Sequence, residues 1–383
     1  MRILIINFEY PPLGGGGAVA TAHIAELLAQ RHTVHVITSG YADLPADNVE
    51  AGVAVHRVPV WGRRDKPTAS LRSLISFVPT ALRRGRQLCR REQFDVLNAQ
   101  FAVPSGVPAA VLAVLYRVPF VLSFIGGDVY DPTKGTSPHR HASLRWLIRR
   151  LAGAAAARTA ISADTARRAR DLLGVREPIT VTHLGIFPFT CQPTDRSQLG
   201  LPAGAFLFVT IGRLIPRKRC DLLLSVLREI SGAHLVIIGT GPLAEQLKQK
   251  AAAAGVADRV YFLGYLSEGR KQQVLCAADA YISGAEHEGF GLVFLEAMQA
   301  GLPITTAGEG GQADFLTHEV NALLVPPHDA AALAAAARRL MADADLRERM
   351  GQENMRRVRN YYWTRTVRVF EQVLQEAARH GKR

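Results

Sequence analysis

Cysteine is scarce in this sequence: Cys89, Cys191, Cys220 and Cys276 are the whole complement of 383 residues, and no two form a Cys-x-x-Cys pair. That spacing argues against a zinc site or a disulfide framework and predicts free thiols in a reducing cytoplasm. Long apolar runs are missing too. The most apolar window, 107–125, is interrupted by Arg117 and Pro119, so no membrane-spanning helix is expected. The opening run Met1-Arg2-Ile3-Leu4-Ile5-Ile6-Asn7 is too short for a secretory leader and enters a glycine-rich stretch directly. Nothing repeats strongly enough for a solenoid.

Acid is the other shortage. There are 33 Asp and Glu against 46 Lys and Arg, a net charge of +13, and the excess lies early. Residues 1–190 carry 23 basic and 13 acidic side chains, whereas the remainder carries 23 and 20. Within 57–91, ten basic residues meet one acid, Asp65, and Leu71, Leu74, Ile75, Val78 and Leu82 recur at helical spacing. A basic amphipathic helix suits either an anionic membrane surface or a core-packed helix with a solvated cationic face. Nucleic acid is disfavoured as a partner, because the stretch lacks interleaved aromatics and any recognised binding motif.

What the sequence does have is alternation. Short apolar runs at 2–7, 33–38, 52–58, 94–97, 118–124, 158–162 and 178–182 are separated by segments, such as 18–30 and 165–173, with helical periodicity. Strands separated by helices give a parallel sheet covered on both faces. Periodicity fades around 186–204, which holds Pro188, Pro193 and Pro202 and is the expected linker. It then restarts, with strands at 205–211, 234–238, 259–263, 279–283, 303–306 and 321–325. Helices are expected at 219–230, 243–254, 269–277, 329–341, 345–359 and 363–379. The expected class is α/β, two Rossmann-like doubly wound parallel-sheet domains at 1–186 and 187–360, followed by a last helix at 361–383. Such sheets bind ligands at the carboxyl ends of their strands.

The stretch 283–301 carries the densest chemistry. Strand 279–283 leads into a loop with Glu286 and Glu288, then Gly289-Phe290-Gly291, then a helix from Leu292 that Gly301 caps and Pro303 stops. The Gly-Phe-Gly turn at the start of this helix presents its backbone N–H groups as a seat for an anion, typically a phosphate. Glu296, just over one turn in, can accept from the vicinal hydroxyls of an attached ribose. Glu288 can meet the distal end of the same ligand. After strand 205–211, Arg213 and Lys218 stand five apart on a strand-to-helix loop, where they can converge on a diphosphate and offset charge on a leaving group. Arg217 is an extra cation without an assigned role. Near the start, Gly15, Gly16 and Gly17 let the backbone approach a ligand closely. Gly15-x-Gly17-x-x-Ala20 also matches a dinucleotide fingerprint, but Pro11 and Pro12 lengthen the loop and the second strand ends Ile37-Thr38-Ser39-Gly40 without the ribose-binding acid. Both points argue against a dehydrogenase.

The Glu288-x7-Glu296 spacing around Gly-Phe-Gly, together with Gly212-Arg213-Leu214-x-x-x-Lys218, resembles retaining glycosyltransferases of the GT-B fold, most closely glycosyltransferase family four. The resemblance covers nearly the whole chain. It implies two domains facing a cleft, an N-terminal acceptor side and a C-terminal donor side, with the last helix returning to the first domain. It implies transfer of a sugar from a nucleotide-diphosphate donor, UDP before GDP, to an acceptor hydroxyl in polysaccharide or glycoconjugate synthesis. The basic segment 57–91 extends this to a lipid-linked acceptor and a peripheral place on the inner face of the plasma membrane. The catalytic set is then Arg213, Lys218, Glu288 and Asp128. The donor contacts are Gly15, Gly16, Gly17, Gly241, Leu266, Phe290, Gly291, Leu292 and Glu296, and Glu309-Gly310-Gly311 matches a further loop by the sugar. No metal or other cofactor is expected, since Asp343-Ala344-Asp345 lies between two late helices. The pattern departs from the family at Ile125 and at Asn98-Ala99-Gln100, where relatives often carry histidines. Asp128 either orients an acceptor hydroxyl or caps the turn that follows. A nucleotide-sugar epimerase, a phosphorylase and a non-catalytic nucleotide- or membrane-binding module are the alternatives on this scaffold.

Overall fold

Ile3, Leu4, Ile5 and Ile6 are all fully buried, the mark of a strand covered on both faces. Their strand, β1 (Arg2–Asn7), is central in an eight-stranded sheet ordered β3-β4-β2-β1-β5-β6-β7-β8. The others are β2 (Thr33–Ser39), β3 (Asp47–Glu50), β4 (Val53–Val58), β5 (Val96–Gln100), β6 (Phe120–Phe124), β7 (Ala157–Ala160) and β8 (Thr180–Val181). Strand β3 pairs antiparallel with β4, while the other described pairings in this sheet are parallel. The computed structural model describes residues 1–63, 65–66, 69–192 and 194–380. Arg64 of the basic segment, Pro193 of the linker and 381–383 of the last expected helix lie outside the described residues.

Helices α1 (Gly16–Ala29), α2 (Leu71–Arg91), α3 (Gly106–Tyr116), α4 (Ala142–Ala154) and α5 (Ala163–Leu173) connect these strands. The helix read from the basic segment is present as α2, with Ser70 as its N-cap, but its apolar stripe is turned. Leu74 and Leu82 pack against the core as expected, but Leu71 and Ile75 face solvent, and Phe77, Ala81 and Leu88 enter the core. Helix α3 escaped the periodicity reading because its sequence, GVPAAVLAVLY, has no polar face to set a 3.6-residue period. Strand β3 is polar and four residues long, and it forms by hairpin pairing with β4 around Ala51 and Gly52, both at positive φ.

The second sheet is all parallel, ordered β11-β10-β9-β12-β13-β14. Its strands are β9 (Phe206–Ile211), β10 (Ala233–Ile238), β11 (Val260–Gly264), β12 (Ala280–Ile282), β13 (Ile304–Ala307) and β14 (Ala322–Val325). Helices α6 (Cys220–Glu229), α7 (Ala244–Ala253), α8 (Glu268–Ala277), α9 (Leu292–Gln299), α10 (Ala330–Ala342) and α11 (Ala344–Val358) belong with it. The chain divides into one unit of Met1–Gly185 with everything from Trp363 onward, and a second of Ile186–Tyr362. The last helix, α12 (Trp363–His380), lies on the first unit. Its Glu371 accepts from Arg31 at 2.5 Å and pairs with His32 at 2.7 Å.

One expectation is overturned. Cys191 and Cys276 are joined in a disulfide with Cα atoms 5.4 Å apart. Their separation of 85 residues carries no spacing signal, and the tertiary fold brings them together. Arg196 donates to the Ala277 carbonyl at 2.8 Å and pairs with Asp279 at 2.8 Å, which draws the linker onto the end of α8. Two of the four cysteines are therefore bridged, and Cys89 and Cys220 remain as thiols. Among the described residues no helix is long and apolar enough to cross a membrane.

Candidate active site

In the second sheet the chain runs outward from β9 through β10 to β11, then returns to place β12 on the other side of β9. Loops leaving β9 and β12 therefore start from neighbouring strands at the point where the order reverses, and such a reversal opens a crevice at the carboxyl ends of the strands. The loop after β9 holds Arg213, Arg217 and Lys218. The loop after β12 holds Glu286, Glu288 and Phe290. Sequence reasoning placed both as ligand loops, and the topology puts them side by side.

The two loops are laced together. Lys218 Nζ donates to Glu288 Oε1, and Arg217 Nη1 stands 3.4 Å from the other carboxylate oxygen. The same guanidinium donates to the His287 carbonyl at 2.5 Å, and the Glu286 N–H donates to the Arg217 carbonyl at 3.0 Å. Arg219 completes the row by pairing with Glu286 at 3.3 Å. Glu288 is buried, which opposes its charge, but the neighbouring Lys218 and Arg217 outweigh that and hold its carboxyl below the ordinary value. It is an anion held by two cations. A lysine ammonium has three donors, so Lys218 keeps capacity for a second acceptor. Arg213 is exposed on the same loop.

Helix α9 starts at Leu292 behind Gly291, whose φ of 92° places it in the left-handed region that glycine adopts without strain. Phe290 contributes backbone only. Its ring is buried edge-on against Phe315, with centroids 5.3 Å apart, so the expected contact through this residue is confined to its N–H. Gly311 N–H donates to the Glu288 carbonyl at 2.7 Å, and a Cβ on Gly311 would stand 2.0 Å from the Gly289 oxygen. Gly241 has a comparable supporting place, because a Cβ there would lie 2.5 Å from the Leu214 carbonyl. It shapes the Arg213 loop by close backbone approach. Leu266 is half-buried in the loop after β11.

Glu296 is half-buried one turn into α9, with its Oε2 fully covered. Oε1 accepts from Lys271 Nζ of α8 at 2.9 Å, and Oε2 has no hydrogen-bond partner among the described residues. Burial pushes its carboxyl upward, opposed by Lys271. A buried carboxylate oxygen left unmatched is costly unless something else supplies a donor. Lys271 was not singled out from the sequence, since nothing in a 25-residue separation announces the pair. Arg217 had a weak signal, as one of three consecutive cations facing an acidic loop.

In the first sheet the reversal falls between β1 and β5. Gly15 precedes α1, and Gly16 opens it with free space around its Cα. At Gly17 a Cβ would meet the Phe101 ring at 2.8 Å and Ile125 at 3.2 Å, so the loops after β1, β5 and β6 converge there. Asp128 is buried, with one oxygen accepting from Ala102 N–H at 2.7 Å and the other from Ile125 N–H at 2.9 Å. Burial lifts its carboxyl to about 6 against those two bonds. Both oxygens tie the loops after β5 and β6 together, and neither of these two bonds goes to the turn that follows Asp128. Asn98 and Gln100, where histidines were looked for, form a buried chain in which Gln100 donates to Asn98 at 2.8 Å and Asn98 to Ser123 at 2.9 Å.

Comparison with known proteins bears on the family and the fold. Residues 192–357 match the family described as glycosyl transferases group 1, and residues 15–185 match the glycosyl transferase 4-like domain. The lipopolysaccharide core biosynthesis glycosyltransferase LpsD of Rhizobium meliloti is 36% identical over 199 residues, which are 51% of this chain and 57% of that protein. The N-acetyl-alpha-D-glucosaminyl L-malate synthase of Bacillus anthracis is 26% identical over 92% of this chain and 91% of its own length. Among solved structures, Anabaena Alr3699/HepE in complex with UDP superposes with a TM-score of 0.79 at 21% identity, covering 98% of this chain and all of that one. Sucrose-phosphate synthase from Thermosynechococcus elongatus gives 0.84 at 20% identity, covering 98% of each.

Proposed function

Since the chain belongs to the group 1 glycosyl transferases and has the GT-B fold, we propose that it is a retaining enzyme transferring a sugar from a nucleoside-diphosphate donor to an acceptor hydroxyl. The observation that carries this reading is the Glu288 carboxylate held between Lys218 and Arg217 at the topological reversal of the second sheet, beside the start of α9. In the proposed reaction the acceptor oxygen bonds to the anomeric carbon on the face from which the diphosphate leaves. The carbon–phosphate-oxygen bond breaks, and the acceptor proton passes to an oxygen of the departing diphosphate. Lys218 and Arg213 offset the growing negative charge there. Glu288 supports the positive character of the sugar ring, and Glu296 accepts from the ribose. Asp128 positions the loops of the first unit rather than moving a proton.

UDP is the proposed nucleotide. The HepE structure was solved with UDP, while a mycobacterial relative at 28% identity is described as GDP-mannose-dependent, which makes GDP the competitor to test. A lipid-linked acceptor is supported by the name of the Rhizobium relative and by the charge of the first unit. Release of nucleoside diphosphate from a panel of UDP- and GDP-sugars tests the reading. Lys218→Ala and Arg213→Ala should each lower turnover about a hundredfold, since one donor to developing charge is worth roughly 2.7–4 kcal/mol of barrier. Near-native turnover in both variants would refute the assignment.

A further inference from the structure

Helices α2, α3 and α4 lie side by side over one face of the first sheet, α2 against α3 and α3 against α4. Together they contain no Asp or Glu, whereas α2 carries six arginines and α4 three. A solvated surface ordinarily mixes both signs. The same face is apolar where water should be. Val114 is 80% exposed, with Val111 and Leu115 beside it on α3, and Trp146 of α4 is 53% exposed. Leu71 and Ile75 extend the set onto α2. Single exposed apolar side chains need no explanation, but six across three adjoining helices do. A water-facing helix turns polar residues outward, and α3 has none to turn.

The cations frame this patch. Arg72, Arg83, Arg86 and Arg90 occupy the exposed side of α2, and Arg145, Arg149 and Arg150 that of α4. The Arg150 guanidinium stands 5.6 Å from the centre of the Trp146 ring. The pattern stops at α5, where Asp164 pairs with Arg167 at 2.5 Å and with Arg168 at 2.9 Å.

We infer that this three-helix face seats on an anionic lipid bilayer, with Trp146, Val114 and Leu115 entering the boundary between headgroups and acyl chains and the arginines engaging lipid phosphates. A bilayer offers an apolar phase and a plane of anionic phosphate in the same place, which is the complement of this face. Guanidinium forks suit phosphate, and an indole suits the interface. The inference differs from one resting on 57–91 alone, because α2 supplies charge while α3 and α4 supply the apolar contact. It is independent of the donor chemistry.

The test is co-sedimentation of the full chain with vesicles of equimolar phosphatidylglycerol and phosphatidylcholine, and with phosphatidylcholine alone. Binding is expected to the anionic vesicles, weakening as salt rises. The double variant Val114→Asp/Trp146→Ser, which alters only exposed positions and should melt like the parent, is expected to lose about tenfold or more in partitioning. In a Trp61→Phe background, Trp146 emission should move to the blue and be quenched by brominated acyl chains, while buried Trp363 stays unquenched. Equal binding by the double variant, an unquenched Trp146, or complete loss of binding in Arg83→Gln/Arg86→Gln/Arg90→Gln with none in the double variant would overturn it. So would a change of oligomeric state in the double variant without any lipid dependence, which would make this face a protein interface.

Discussion

Lys218→Met keeps most of the side chain, one atom shorter, and removes its charge. Glu288, only 7% exposed, would then retain Arg217 alone, 3.4 Å away. Removing one partner of a buried pair costs about 3–5 kcal/mol, and the surviving guanidinium puts this case near the lower end, about 3 kcal/mol. A unit of this size shifts about 2–4 °C per kcal/mol, so its melting transition should fall by about 6–12 °C. Calorimetry on the whole chain, where the two units report separately if they unfold separately, is the measurement. Glu288→Gln should also destabilise, because it leaves two cations facing each other. The double variant should lose less than the sum, with a coupling of about 1–3 kcal/mol. The pH dependence has a definite sign. The folded carboxyl of Glu288 lies below its ordinary value of 4.5, so its stabilisation is present above that pH and is lost as pH falls through the folded value. The gap between parent and Lys218→Met should therefore be widest near neutrality and close below pH 4.5. Strict additivity, or a gap that is the same at acid and neutral pH, would refute the pairing.

Lys271→Met should raise the donor KM about tenfold with a smaller change in kcat, since it removes the counter-charge of Glu296 and leaves chemistry at the sugar untouched; an unchanged KM would mean that Glu296 does not hold the donor. Gly311→Ala would press a methyl group against the Gly289 carbonyl, so destabilisation of at least about 1–3 kcal/mol is expected together with loss of turnover. The informative control is Gly204→Ala in the same unit, where the same methyl group meets open space. Cys191→Ser should lower the melting temperature of the second unit, because the bridge closes 85 residues and chain entropy assigns such a loop about 4.5 kcal/mol. Reductant should produce the same shift in the parent and none in the variant.

The alternation of apolar and helical runs was enough to read two parallel sheets, because buried parallel strands are continuous apolar runs that polar sequence cannot imitate. Elements without a period of their own were not legible. Helix α3 is apolar on every side, and β3 is polar and exists by pairing. Local motifs located both loops of the second unit, since glycine is required at Gly291, where φ is positive, and at Gly311, where a Cβ would strike the Gly289 carbonyl. What joins the loops was hidden. The Arg217 guanidinium on the His287 carbonyl, the Lys271 ammonium on Glu296 and the Cys191 bridge are all contacts over long separations, and a single sequence holds no record of them. The turned stripe of α2 has the same origin, because spacing gives the width of an apolar face but not which neighbour it meets.

The two glutamates eight residues apart show how one segment can supply two kinds of carboxyl. Glu288 is buried and Glu296 is half-buried with one oxygen fully covered, and burial alone would push both toward neutrality. Glu288 sits on a loop against two cations, so its charge is kept; Glu296 sits on the following helix against one, and burial prevails. Environments that push neighbouring carboxyls in opposite directions separate their duties. A permanent anion suits the place where positive character develops on a sugar. A carboxyl poised nearer to protonation, with one oxygen on Lys271 and the other unmatched, suits a ligand whose hydroxyls arrive and leave. Exchanging the cations, rather than the glutamates, is therefore the change that would blur the two roles while leaving every carboxyl in place.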